Sequence, residues 1–184
     1  MTAEPQVRAW LREHGAESVA HPGGTLYAHL GRVHDALAAL GHDPHVPLAG
    51  LAHAVYGTDG FDLTLLGTAD RAVLRELAGA PAEELVYLYG ACDRARTWTA
   101  LPQSRQVHDR FTGAVHTLTD AQVRPFTDLS IVNELDVAAQ DPAFVARHGR
   151  YFRALFADWA PLASPAVLTE AHRLLGRTES RGES

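Results

Sequence analysis

His29, His53, Asp93, Asn133 and Asp136 are the side chains of this sequence whose types and placement could do chemistry together. Each falls on an apolar helix face. Imidazole nitrogens with a carboxylate suit a divalent transition metal such as iron, manganese or zinc, and two histidines with one carboxylate leave positions open for water, oxygen or substrate. The expected ligand set is therefore His29, His53 and a carboxylate from Asp93 or Asp136. Around it stand groups suited to proton transfer and binding. Tyr56 follows His53 by about one helical turn and could donate a proton or anchor a substrate. Arg94 carries a fork that matches an anionic group. His21, in a glycine-rich loop, is an acid-base group that titrates near neutrality.

The competing reading is structural. A buried histidine needs a hydrogen-bond partner, because an unpaired buried polar group costs ~1–3 kcal/mol, and one such partner satisfies it without any function. Asp93 could simply pair with Arg94 or Arg96 instead of binding a metal. Asn133 and Asp136, three residues apart on one face, could brace a neighbouring helix. His34, His42, His45, His108, His116, His148 and His172 read as surface residues.

The element that must position the centre is the stretch Leu48 to Thr58, LAGLAHAVYGT. Read as a helix from His45 or Val46 to Tyr56, it is apolar all round, as a helix in the middle of a domain is. Gly57 ends it. Before it, Leu26, Leu30, Val33, Leu37 and Leu40 form an amphipathic stripe over Thr25 to Leu40, with His29 on the stripe. A shorter helix spans Pro5 to His14, and Glu17 to Gly24 is a loop. Beyond Gly57, a loop reaches Leu65 and a short helix covers Ala69 to Ala78. Pro81 opens a helix to Arg96 that carries Cys92 and Asp93. Leu101 to Thr119 reads as a small hairpin around Gly113 or as an irregular loop. Thr127 to Gln140 is helical. Asp141-Pro142 and Ser164-Pro165 each signal a cap with a first-turn proline, opening helices to Trp159 and Gly176. The expectation is an all-α, single-domain helical bundle over 1–176, with one small hairpin near 108–118 and a frayed polar tail over 177–184.

Composition narrows the function. The chain has 184 residues, 46% hydrophobic and 21% charged, enough for one full core. A net charge of -6 and the lack of a basic stripe argue against nucleic-acid binding. All 16 positive residues are arginine, which with the many alanines fits a GC-rich bacterial genome. The single Cys92 fits a reducing cytoplasm, and Met1 to Trp10 lacks the blocks of a signal peptide. No apolar run approaches the ~20 residues needed to span a bilayer. A small-molecule substrate is the expected partner, with a homodimer left open.

GTLYAHLGRVHDALAALG followed by VPLAGLAHAVYGT resembles the HD-domain superfamily, in a divergent bacterial branch. The resemblance runs from about Glu13 to Gln140. It is carried by His21 in its glycine loop, His29, the H-x-x-Y-G-T segment of His53, Tyr56, Gly57 and Thr58, the pair Asp93-Arg94, and Asn133 with Asp136. It implies an HD-like helical fold, with Thr58, Arg94 and Asn133 as substrate contacts. The chain departs from the superfamily at Ala54, where the metal-bridging aspartate of the His-Asp pair is missing, and at Asn133, where a final aspartate is the rule. A dinuclear centre does not fit that pattern.

Three functions remain. The first is a mononuclear metal-dependent hydrolase or oxygenase acting on a small polar or anionic metabolite. The second is a metal-free lyase, isomerase or cyclase that uses the histidines, Tyr56 and Asp93 as an acid-base network. The third is a non-catalytic small-molecule-binding protein.

Overall fold

The computed structural model describes residues 3–61 and 63–176, and among them ten α-helices and two short antiparallel hairpins. The fold is all-α. The helices are α1 (Ala3–Glu13), α2 (Leu26–Ala39), α3 (His45–Ala52), α4 (Arg71–Ala78), α5 (Ala80–Ala91), α6 (Arg94–Thr97), α7 (Leu101–Ser104), α8 (Asp120–Gln140), α9 (Pro142–Asp158) and α10 (Pro165–Leu175). The hairpins join β1 (Ala20–His21) to β2 (Gly24–Thr25) and β3 (Gln106–His108) to β4 (Val115–Thr117). The expected tail over 177–184 lies outside the described residues. No described helix is long and apolar enough to cross a membrane.

The apolar helix is the centre of the bundle. Every residue of α3 from Val46 to Ala52 is buried, and α3 packs against α1, α2, α5 and α8. It ends earlier than its composition suggests. His53 is its C-cap, and His53 to Tyr56 continue as tight turns, with Gly57 at φ 75 reversing the chain. A Cβ at Gly90 of α5 would stand 2.9 Å from the Gly57 carbonyl oxygen, so a glycine lets the two segments touch. Thr58 and Phe61 then exchange both backbone hydrogen bonds, at 3.0 and 2.9 Å. This tight turn replaces part of the expected loop and sets Thr58, Asp59 and Phe61 on one wall.

Four further elements differ from expectation. His21-Pro22-Gly23-Gly24 is a two-residue hairpin rather than a loop, because Gly23 and Gly24 take φ 79 and 130. The helix expected over Pro81 to Arg96 breaks at Cys92 and Asp93, which are extended, and Asp93 N–H donates to the His108 carbonyl of β3 at 2.8 Å. α8 starts seven residues before Thr127, behind a Thr119–Gln122 capping box that outweighs Pro125 within the helix. The Ser164 hydroxyl does not cap α10. It donates to the buried Asp128 carboxylate, and Ser164 N–H does the same at 2.9 Å, tying α10 to α8.

The hairpin near 108–118 is present, and a buried carboxylate holds it. Asp109 accepts from Phe111 N–H at 2.8 Å, Thr112 N–H at 3.1 Å and the Tyr87 hydroxyl at 2.7 Å, and lies 2.9 Å from His116 Nε2. Burial pushes its carboxyl up, but the bonds from His116, Tyr87 and the turn outweigh that and bring it down to about 2. An unfolded Asp titrates near ~3.9. The stabilisation is therefore complete above about pH 4 and lost as pH falls towards the folded value. The urea midpoint of the wild-type chain should fall more steeply between about pH 4 and pH 2 than that of Asp109→Asn. Parallel curves would remove Asp109 from the account.

Candidate functional site

His29 lies on the buried stripe of α2 and His53 at the end of α3, each 1% exposed. His29 Nδ1 is 2.6 Å from Asp136 Oδ2. Arg32, one turn along α2, clamps the same carboxylate through Nε at 2.7 Å and Nη2 at 2.9 Å. Burial alone would raise the Asp136 carboxyl, but the bonds from His29 and Arg32 hold it below the usual range. An ionised carboxylate only accepts, so His29 Nδ1 carries a proton. His53 Nδ1 is 2.7 Å from the Gly50 carbonyl, which also only accepts. Burial, and then the neighbouring His29 ring, lower the His53 pKa to about 3. The His53 ring is therefore neutral, and its Nε2 is a bare lone pair.

The two rings meet edge to face, with Nε2 facing Nε2 at 3.3 Å. Asn133 Oδ1 stands 3.1 Å from His29 Nε2. The Asn133 amide is oriented by its own Nδ2, which donates to Glu134 Oε1 at 3.0 Å. Three polar atoms from α2, the end of α3, and α8 thus converge, two ring nitrogens and an amide oxygen. His21 covers them, its ring stacked on His29 at 4.0 Å between centroids. Burial, with His29 beside it, lowers the His21 pKa to about 4.

A cavity of about 230 Å³ opens beside the rings. Its wall includes Leu26, Thr58, Asp59, Phe61, Arg94 and Phe144. A wider groove of about 800 Å³ runs between α5 and the start of α8, past His42, Glu84 and Arg124. It holds none of these three atoms, so the smaller cavity is the candidate site.

The structure brings together His21, His29, His53, Asn133, Asp136, Thr58 and Arg94 of the residues expected from the sequence, but several in other roles. Asp136 is not beside His29 Nε2. It binds the opposite ring nitrogen, Nδ1, while Asn133, one turn earlier on α8, stands at Nε2. Asp93 is not in the site. The break after α5 makes it the N-cap of α6, where Oδ1 accepts from Arg96 N–H at 3.0 Å. The expected carboxylate ligand therefore comes from neither acid, and no three His, Cys, Asp or Glu side chains among the described residues form a group able to hold a metal. Tyr56 also points elsewhere, since the chain leaves helical geometry at His53. Its hydroxyl donates to the buried Glu83 at 3.0 Å, and burial raises its pKa. Arg94 reaches the cavity, but Nη1 donates to Glu134 Oε1 and Nη2 to the Tyr89 hydroxyl, both at 3.0 Å. Its fork is occupied by the protein rather than held out for an anion. Cys92 is buried, and that burial pushes its thiol up to about 12, leaving no thiolate for chemistry.

Sequence reasoning missed Glu134, Asp59 and Arg32. The signal for Arg32 was present, since it follows His29 by three residues as Asp136 follows Asn133. Glu134 and Asp59 had little, because each meets Arg94, distant in sequence, although Glu134 also accepts from its neighbour Asn133.

Residues 10–94 match the model of a family described as a domain of unknown function (DUF6817). That stretch runs from α1 to the first residue of α6, so it carries His21, His29, His53, Thr58, Asp59 and Arg94 but stops short of α8. No curated protein and no solved structure matches the chain.

Proposed function

We propose that the cavity is the active site of an HD-like, mononuclear metal-dependent enzyme, a hydrolase or oxygenase acting on a small polar molecule. His29, His53 and Asn133 would hold the metal. The observation that carries the reading is the convergence of two imidazole Nε2 atoms and the Asn133 amide oxygen. Two bonds of ~2.0–2.1 Å to one tetrahedral metal place their nitrogens about 3.3–3.4 Å apart, which the Nε2 separation of 3.3 Å matches. Both rings also show the support that metal-bound histidines receive, with the far nitrogen donating to a carboxylate or a backbone carbonyl. The third donor is an amide, the weakest feature of the set. A bound divalent ion would supply Lewis acidity and lower the pKa of water.

The chain's own residues do the rest. Asp136 and Arg32 fix the His29 ring. Gly50 fixes the His53 ring. Glu134 turns the Asn133 amide so that oxygen, not nitrogen, faces the imidazoles. Leu26, Phe61 and Phe144 exclude water from one side of the substrate. Thr58, on the same wall, offers a hydroxyl.

One observation favours a second reading. His29 Nε2 lies within hydrogen-bonding distance of Asn133 Oδ1, so an imidazolium His29 would satisfy both neighbours with a proton in place of a metal. The protein would then be a metal-free acid-base enzyme. Elemental analysis of chain purified without chelator separates the two. About one equivalent of iron, manganese or zinc per chain is expected. Less than about a tenth of an equivalent, with no thermal stabilisation on adding any of the three metals, rules out the metal reading. Turnover without metal would favour the acid-base enzyme, and ligand binding without turnover a binding protein.

A further inference from the structure

The charges on the cavity wall are unevenly matched. Its cation is Arg94, which is spent on Glu134 and Tyr89. Arg32, behind the His29 ring, is spent on Asp136. Asp59 is different. It lines the cavity, half-buried, at the tip of the tight turn, and Oδ2 accepts from Arg94 backbone N–H at 2.9 Å. It forms no ion pair with another described side chain. Two aromatic rings, Phe61 and Phe144, line the same cavity. Asp59 and Glu134 both act on the one guanidinium of Arg94, so the wall carries two carboxylates against one cation, and an excess of negative charge in a cavity lined by aromatic rings attracts an organic cation.

We propose that the ligand of this cavity is a small ammonium compound bearing an oxygen donor, of the amino-alcohol or amino-acid class, with its charged nitrogen at Asp59 and its oxygen towards the His29–His53 pair. The placement of the oxygen end rests on the metal reading above. Recognition of the nitrogen does not. The cavity of about 230 Å³ is smaller than the roughly 300–1,000 Å³ of drug-sized sites, so the compound is a small metabolite. An anion gains nothing here except through a metal, because both nearby guanidinium groups are already paired.

The test is calorimetric titration of the full chain with matched probes. Choline is compared with its uncharged carbon isostere 3,3-dimethylbutanol, and ethanolamine with ethylene glycol and with glycolate. The ammonium probes should bind at least about tenfold more tightly than their uncharged partners. Asp59→Asn keeps an oxygen for Arg94 N–H but removes the charge, and should erase that preference. Phe144→Leu, which leaves Asp59 in place, should weaken the ammonium probes about threefold and the uncharged ones not at all. The proposal is overturned if no probe binds at millimolar concentration, if the uncharged partners bind equally well, if glycolate binds more tightly than ethanolamine, or if Asp59→Asn keeps the preference. Repeating the titrations on chelator-treated protein separates the two readings. An ammonium preference in a chain that takes up no metal defeats the metal reading alone, and a metal-loaded chain without the preference defeats this one alone.

Discussion

His53→Ala is expected to lower metal affinity at least about a hundredfold while leaving the helical circular-dichroism spectrum unchanged. His53 supplies one of two imidazole nitrogens 3.3 Å apart, and its loss leaves His29 with an amide. The size follows from a comparison. Removing a partner that merely supports a ligand costs about 10–100-fold in metal affinity, so removing the ligand costs more. Asp136→Asn supplies that comparison within this protein. It leaves His29 Nε2 in place but weakens the anchor on Nδ1, and should lower affinity by about 10–100-fold. The order His53→Ala below Asp136→Asn below wild type, read by competition with a chromophoric chelator, is the diagnostic. Equal metal affinity in all three proteins would remove the metal from the site and leave the acid-base enzyme, in which His53→Ala abolishes turnover alone.

The second large effect is structural. Glu83→Ala should destabilise the fold by ~3–5 kcal/mol, read from urea or thermal unfolding. Glu83 is 0% exposed on α5, and three side chains donate four hydrogen bonds to it. Arg71 donates to both of its oxygens, at 2.5 and 3.0 Å, Arg75 to Oε2 at 3.0 Å, and the buried Tyr56 hydroxyl to Oε1 at 3.0 Å. Burial opposes ionisation of Glu83, but the two arginines and Tyr56 overcome it and hold the carboxyl below its ordinary range. Alanine leaves the Tyr56 hydroxyl buried without a partner and two arginines facing one another. A loss below about 1 kcal/mol would show that water replaces the carboxylate there. The same cluster bears on function. Tyr56 is anchored away from the imidazoles, so Tyr56→Phe should cost stability and leave metal binding and turnover near wild-type values.

The two sites mark where local pattern was a sufficient guide. The stripe Leu26, Leu30, Val33 and Leu37 is buried as its spacing requires, and it carries His29 inward with it. The polar-free run of α3 lies at the centre because nothing in it can face water. The pair Asn133 and Asp136 shares a face, and both contact His29. These are consequences of a 3.6-residue period and of burial. Tyr56 and Asp93 failed for one reason. Each was placed by extending a helix past the residue where it ends, and a few residues of turn rotate a side chain to another side of the molecule. The breaks come from distant partners, the Gly90–Gly57 approach at one and β3 at the other.

From the order of residues alone came an all-α chain, its central helix and the two histidines destined for the interior, since these depend on periodicity and on the cost of hydrating apolar surface. Which nitrogen of each ring is anchored, that Asp136 meets Nδ1 of His29 and not Nε2, that the Arg94 side chain is held by Glu134 and that Asp59 meets the Arg94 backbone N–H, were decided by the packing of α8 and of the turn at Thr58–Phe61 against α2 and α3. Hydrogen bonds and charge pairs act over about 3 Å, and only the folded chain brings residues more than a hundred positions apart, such as His29 and Asp136, within that range.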